Sequence, residues 1–120
     1  QPRRQRQMCI RDSNYSKLVK GKSMVGQLRT YTINKGMMDS WLKLFHEVIA
    51  PKTLEFGMGI QSAWTDEESE RFIWIRTYED MEDLKKKEEE FYGSDWWKEN
   101  MSTIRGHLAR RQIEVIKPSA

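Results

Sequence analysis

Two arginines stand at positions where their chemistry would matter. Arg29 lies beside Tyr31 in VGQLRTYTI (25–33), and Arg76 lies between Trp74 and Tyr78 in RFIWIRTY (71–78). Both stretches alternate at the period of a β-strand. Alternation puts Arg29 and Tyr31 on one side of the first, and Phe72, Trp74, Arg76 and Tyr78 on one side of the second. A guanidinium enclosed among aromatic rings must be paired or stacked, because an unpaired buried charge is costly. Two readings follow. The arginines can be structural, stacked on aromatics or ion-paired with Glu114 across a subunit interface. Alternatively they grip an anion, a carboxylate or an enolate, in a pocket that Tyr31, Trp74 and Tyr78 help to line.

Other candidates are fewer. His46 and His107 are the only imidazoles, too few for a multi-histidine metal site, and no metal or cofactor is expected. His46 follows the core residue Phe45 and reads either as a half-buried neutral ring or as an acid-base group. His107 sits beside Gly106 in a turn and reads as solvated. Tyr31, His46 and Arg76 are therefore the polar candidates for catalysis. The five tryptophans read first as packing, with an aromatic wall for a planar ligand as the alternative. Lys85 to Glu90 (KKKEEE) reads as a solvated helix face. There is no phosphate-cradling glycine loop, nucleophile elbow, CxxC pair or RNA-binding aromatic motif.

These residues need elements to hold them. Val25 to Ile33 forms a first strand, and Asn34-Lys35-Gly36 a turn. A helix follows with Met38, Trp41, Phe45, Val48 and Ile49 on one stripe, and Pro51 should kink or end its first part. Gly59 to Thr65 is a second strand, joined through the polar loop 66–70 to the Arg71 strand. Asp80 caps a helix, with Asp83 in the reach-back position of a capping box; Met81, Leu84 and Phe91 share its stripe. Ser94 caps a further helix carrying Trp97, Met101 and Ile104, Gly106 ends it, and Leu108 to Ile116 is a last strand. The order β-α-β-β-α-β is that of ferredoxin-like α+β domains, a four-stranded antiparallel sheet with helices on one face. If Leu28, Ile73 and Ile75 pack on the helices, then Arg29, Tyr31, Phe72, Trp74, Arg76 and Tyr78 fall on the opposite face. That is too much aromatic area to leave in water, so a homodimer with sheets face to face is expected.

At 120 residues, 38% hydrophobic and 32% charged, the chain has one domain's worth of core. Its net charge of +3 comes from Arg3, Arg4, Arg6 and Arg11 against Asp12, within a stretch without amphipathic period. Residues 1–23 are therefore read as a disordered arm, and 24–120 as the domain, with Met24 a plausible start. Gln7 to Ser13, QMCIRDS, resembles the translation of a transposase adapter used in preparing sequencing libraries. The arm is left out of fold reasoning, and with it the argument for nucleic-acid binding. The single cysteine, Cys9, lies there, so no disulfide frame or thiol site is expected. No apolar run approaches the roughly 20 residues of a membrane helix, and the expected location is cytoplasmic.

From Gln27 to Pro118 the sequence resembles the NIPSNAP family. The matching pieces are Leu28-Arg29-Thr30-Tyr31-Thr32, Gly36, Phe72 to Arg76, Phe91-Tyr92-Gly93 and Trp97. Asp95 stands where such sequences often have proline, and Asn100 where they frequently have histidine. The resemblance implies a dimeric α+β barrel. It leaves the biochemical role undefined: a small organic ligand in the barrel or the sheet-helix cleft, chemistry like that of the cofactor-independent oxygenases and isomerases sharing this architecture, or a non-catalytic scaffold.

Overall fold

A computed structural model describes residues 24–119; the arm read over residues 1–23 lies outside them. Strand β1 spans Val25–Ile33, β2 Gly59–Thr65, β3 Arg71–Tyr78 and β4 Leu108–Ile116. They form one antiparallel sheet in the order β2-β3-β1-β4. Helix α1 (Met38–Leu44) runs through a π turn (Phe45–Ile49) into α2 (Ala50–Glu55), all between β1 and β2. Helices α3 (Met81–Tyr92) and α4 (Asp95–Arg105) connect β3 to β4. The ferredoxin-like α+β architecture expected from the sequence is thus present. Among the described residues no helix is long and apolar enough to cross a membrane.

Local chemistry accounts for the joints. Asp80 caps α3 by accepting from the Asp83 N–H at 2.7 Å. The Asp83 carboxylate in turn accepts from the Glu79 N–H at 2.9 Å, one residue before the cap. Burial pushes the Asp83 carboxyl up, but that backbone bond and Lys87 outweigh it and hold it below the usual carboxylate range. Ser94 caps α4 through the Trp97 N–H. The β2-β3 hairpin closes without Asn-Gly because Asp66 replaces it: its carboxylate accepts from the Glu70 and Arg71 N–H groups and from the Arg71 side chain. Pro51 does not end its helix. The chain widens by a π turn, which puts Pro51 in the first turn of α2, where its missing N–H has no intrahelical partner to lose.

The faces of the sheet are the reverse of those expected. Tyr31, Phe72, Trp74 and Tyr78, with Arg29 and Arg76, lie buried under the helices. Leu28, Ile73 and Ile75 look out from the other face and are only half-buried. Volume decides it. Trp41 and Phe45 present wide rings to the sheet, and the aromatic set of the strands meshes with them: Phe45 lies 4.6 Å from Phe72 and 4.9 Å from Trp74, centroid to centroid. The smaller branched side chains cannot fill that layer to the density of a protein interior. The dimer argument drawn from an exposed aromatic face therefore fails. Met81 also leaves its expected stripe, being 38% exposed, while Leu84 and Phe91 are buried.

Phe45 is 2% exposed and bridges helix and sheet. Phe45→Ala should lower unfolding stability by about 3–5 kcal/mol in urea titration. A loss under about 1 kcal/mol would contradict an aromatic core on this face.

Candidate functional site

The site begins with a repeated tripeptide. Arg-Thr-Tyr occurs at 29–31 in β1 and again at 76–78 in β3. In an extended strand, residues two apart share a face, so each arginine can reach back to its own tyrosine. Arg29 Nε donates to the Tyr31 hydroxyl at 2.7 Å and Arg76 Nε to the Tyr78 hydroxyl at 3.1 Å. The antiparallel register sets Arg76 opposite Gln27 and Arg29 opposite Trp74. Both guanidiniums are thereby turned onto Gln27, whose side-chain carbonyl accepts from each. Helix α3 closes the group from above. Tyr92 accepts from Arg29 at 3.0 Å and Arg76 at 3.2 Å, and Glu88 accepts from Arg76 and from the Gln27 amide, both at 2.9 Å. Arg29 reaches the same Glu88 oxygen only at 3.5 Å.

The electrostatics are lopsided. Two guanidiniums, 3% and 1% exposed, share one carboxylate. Ring faces supply part of the missing stabilisation: Arg76 lies 5.4 Å from the Trp74 centroid, and Arg29 lies 6.0 Å from it. Burial works against the Arg29 charge, but Tyr31, Tyr92 and Glu88 together outweigh it and hold its pKa above the ordinary arginine value. Burial pushes the Tyr78 hydroxyl up to about 12, although Arg76 pulls the other way.

Beside this cluster, between sheet and helices, is a cleft with about 30 Å³ of room. Tyr31, Trp41, Trp74 and Trp97 line it together with Arg29 and Arg76, and the exposed Arg105 and Arg111 stand on its open side. Trp41 and Trp74 are each 1% exposed, and neither indole N–H finds an acceptor among the described residues. The cleft is therefore rich in donors and poor in acceptors. Such a site can hold an anion or polarise a carbonyl. Both arginines engage the carboxylate of Glu88.

Arg29, Tyr31, Trp74, Arg76 and Tyr78 thus come together as a group, while His46 does not join them. It is exposed on the π turn and meets Phe45 edge-on. It projects outward because the widened turn gives the core-facing positions to Phe45 and Ile49. Glu114 cannot pair with either arginine within the chain, since its register partner Leu28 faces the open side of the sheet. His107 is not solvated. It is buried, with Nδ1–H donating to the Thr103 carbonyl and Nε2 hydrogen-bonded to the Ser40 hydroxyl, both at 2.8 Å. Asn100 donates to the Trp96 carbonyl within its own helix.

Sequence reasoning missed Gln27, Glu88 and Tyr92. The signal for Glu88 was available: with Leu84 and Phe91 it occupies positions i, i+4 and i+7, the buried stripe of α3. The run Lys85 to Glu90 is thus not uniformly solvated. Lys87 also turns aside, donating to the Gly57 carbonyl at 2.9 Å and pairing with Asp83.

Comparison with known proteins places the fold. The NIPSNAP family model matches residues 26–120. A NIPSNAP family protein from Agrobacterium tumefaciens superposes with a TM-score of 0.71 at 18% identity, over 80% of this chain and 86% of that one. A NIPSNAP-like domain protein from Burkholderia xenovorans gives 0.72 at 20% identity, over 82% and 87%. SnoaB, a cofactor-independent oxygenase from Streptomyces nogalater, gives 0.63 at 9% identity, over 82% and 95%. At these identities the structural likenesses establish the fold. No curated protein matches the chain.

Two outcomes test the cluster. Glu88→Ala leaves two buried guanidiniums without a carboxylate. Because Glu88 is 27% exposed, the cost is discounted to about 2–3 kcal/mol; denaturant unfolding at neutral pH measures it. Tyr78 has a folded pKa above its unfolded value, so the native state favours the neutral hydroxyl. Its contribution is intact below pH 10 and drains between pH 10 and about 12, a loss of about 2–3 kcal/mol. Tyr78→Phe should flatten that alkaline limb; identical limbs in the two proteins would refute the assignment.

Proposed function

The chain belongs to the NIPSNAP family, and from that premise we propose that it is a homodimeric small-ligand-binding protein. Its ligand enters the sheet-helix cleft, and its two copies meet across the open face of the sheet. The observation that carries the ligand reading is the surplus of buried donors beside the cleft: Arg29 and Arg76 share Glu88, and the indoles of Trp41 and Trp74, two cleft-lining residues, have no acceptor among the described residues. Arg29, Tyr31, Trp74 and Arg76 line the cleft and are the ligand-contacting set in this reading, while Tyr78, expected among them, does not line it and acts through Arg76, accepting its Nε–H. An oxygenase or isomerase role would draw on Tyr31 and Arg76 in the same cleft, and a scaffold role would use the cluster to hold β1, β3 and α3 in register.

The dimer reading rests on the open face. Trp64 is 64% and Ile116 36% exposed, and strand register sets them on the same side as Leu28, Ile73 and Ile75. Such a stripe on a small protein is commonly covered by a partner, and a second copy supplies an identical stripe. Residues 24–120 form the working unit in this proposal, and a cytoplasmic setting suits a chain whose single cysteine is Cys9.

Native mass spectrometry and sedimentation of the full chain, gently purified, test both parts. The expected result is a dimer that carries extra small-molecule mass. Ile75→Lys should give monomers, and Arg29→Gln should lose the extra mass. A monomeric wild-type protein at tens of micromolar would contradict the dimer. A retained mass unaffected by Arg29→Gln would contradict the cleft.

A further inference from the structure

We propose that the ligand is a planar, conjugated carboxylate, held by its carboxylate in the cleft with its flat body lying toward Arg105 and Arg111. The inference rests on the ligand-binding reading above and adds the chemical class. Three features of the cleft select it.

The first is charge. Arg29 and Arg76 face one carboxylate, so a single further negative charge balances the group. The second is hydrogen bonding. The N–H groups of Trp41 and Trp74 are buried donors with no acceptor among the described residues, and leaving a buried donor unmade costs about 1–3 kcal/mol each. A carboxylate offers two oxygens with about four acceptor sites, enough for both indoles and an arginine. A neutral amide offers one oxygen and brings donors of its own into a site already crowded with them.

The third feature is shape. About 30 Å³ of room admits a head group of a few atoms, so the rest of the molecule must point to the open side. The cleft is lined by the rings of Tyr31, Trp74 and Trp97, of which Trp97 alone is half-buried and the other two buried; such walls favour a flat, conjugated body. Arg111 lies opposite Tyr31 in the sheet register, at the rim, and has no ion-pair partner among the described residues. Arg105 has only the Trp97 ring, 5.6 Å from its guanidinium. Two unneutralised cations at the entrance steer an anion inward.

The test is a titration of the ¹⁵N-labelled full chain with sodium benzoate and, separately, with neutral benzamide. The readout is the five indole N–H signals, with Trp41→Phe and Trp74→Phe identifying two of them. Benzoate should move the Trp41 and Trp74 signals along a saturable curve, and benzamide should bind at least about tenfold more weakly, as loss of one charge-assisted hydrogen bond implies. If neither variant folds, the wild-type titration still decides: two of the five indole signals respond, and selectively to benzoate. Equal response to both probes overturns the carboxylate assignment while leaving a ligand cleft in place. Saturable shifts confined to Trp96 and Trp97 overturn the buried head-group position. No shift with either probe overturns the inference outright, and the native mass measurement then decides separately whether the cleft holds any ligand.

Discussion

The structure depends on two guanidiniums being held beneath helices. Arg29 and Arg76 project from the centre of adjacent strands into the layer where an α+β domain keeps its apolar core, and there they must be satisfied from all sides. Each own-strand tyrosine takes one Nε–H, Gln27 takes a donor from both, and α3 supplies Glu88 and Tyr92. This couples elements far apart in sequence. β1 and β3 are set in register by Gln27 and the arginines, and α3 is held over them by Glu88. Apolar clusters flank the cluster on either side, one around Trp41, Phe45 and Trp74 and the other around Met58, Leu84 and Phe91.

Such an arrangement is hard to justify by stability alone. Replacing a buried charge network with packed hydrophobic residues is often neutral or stabilising, and this network carries one more cation than anion. Two indole donors beside it lack acceptors among the described residues. A core selected only for packing would satisfy or remove such groups. Their presence next to a cleft is the physical basis for assigning the cleft a ligand.

Much of the fold was legible because it is written in local chemistry. Strand alternation marks β1 to β3 in full, Asp80 and Ser94 announce the caps, and the element order gives the topology. The orientation of the sheet was not legible. Period-two alternation separates a strand's residues into two sets but does not say which set meets the helices, and the branched set of Leu28, Ile73 and Ile75 suits a helix-covered face as readily as the aromatic one. The deciding term was the fit of Trp41 and Phe45 to Phe72 and Trp74, which exists only between elements. The same limit hid Glu88, whose place on the Leu84-Phe91 stripe was masked by the charged run around it. It also hid His107, since its partner Ser40 lies 67 residues away. Arg29, Tyr31, Arg76 and Tyr78 were found from the sequence; Glu88, the carboxylate that faces the arginines, and Tyr92 came from another element.

Arginine side-chain NMR tests the central claim most directly. Guanidiniums that are buried and bonded at Nε and Nη should show slow Cζ–Nε rotation and Nη–H protons protected from solvent exchange. The account predicts two such arginines in the full chain, lost one at a time in Arg29→Lys and Arg76→Lys. Fast rotation and fast exchange at every arginine would mean that the pair is not held beneath the helices, and the site would lose its foundation.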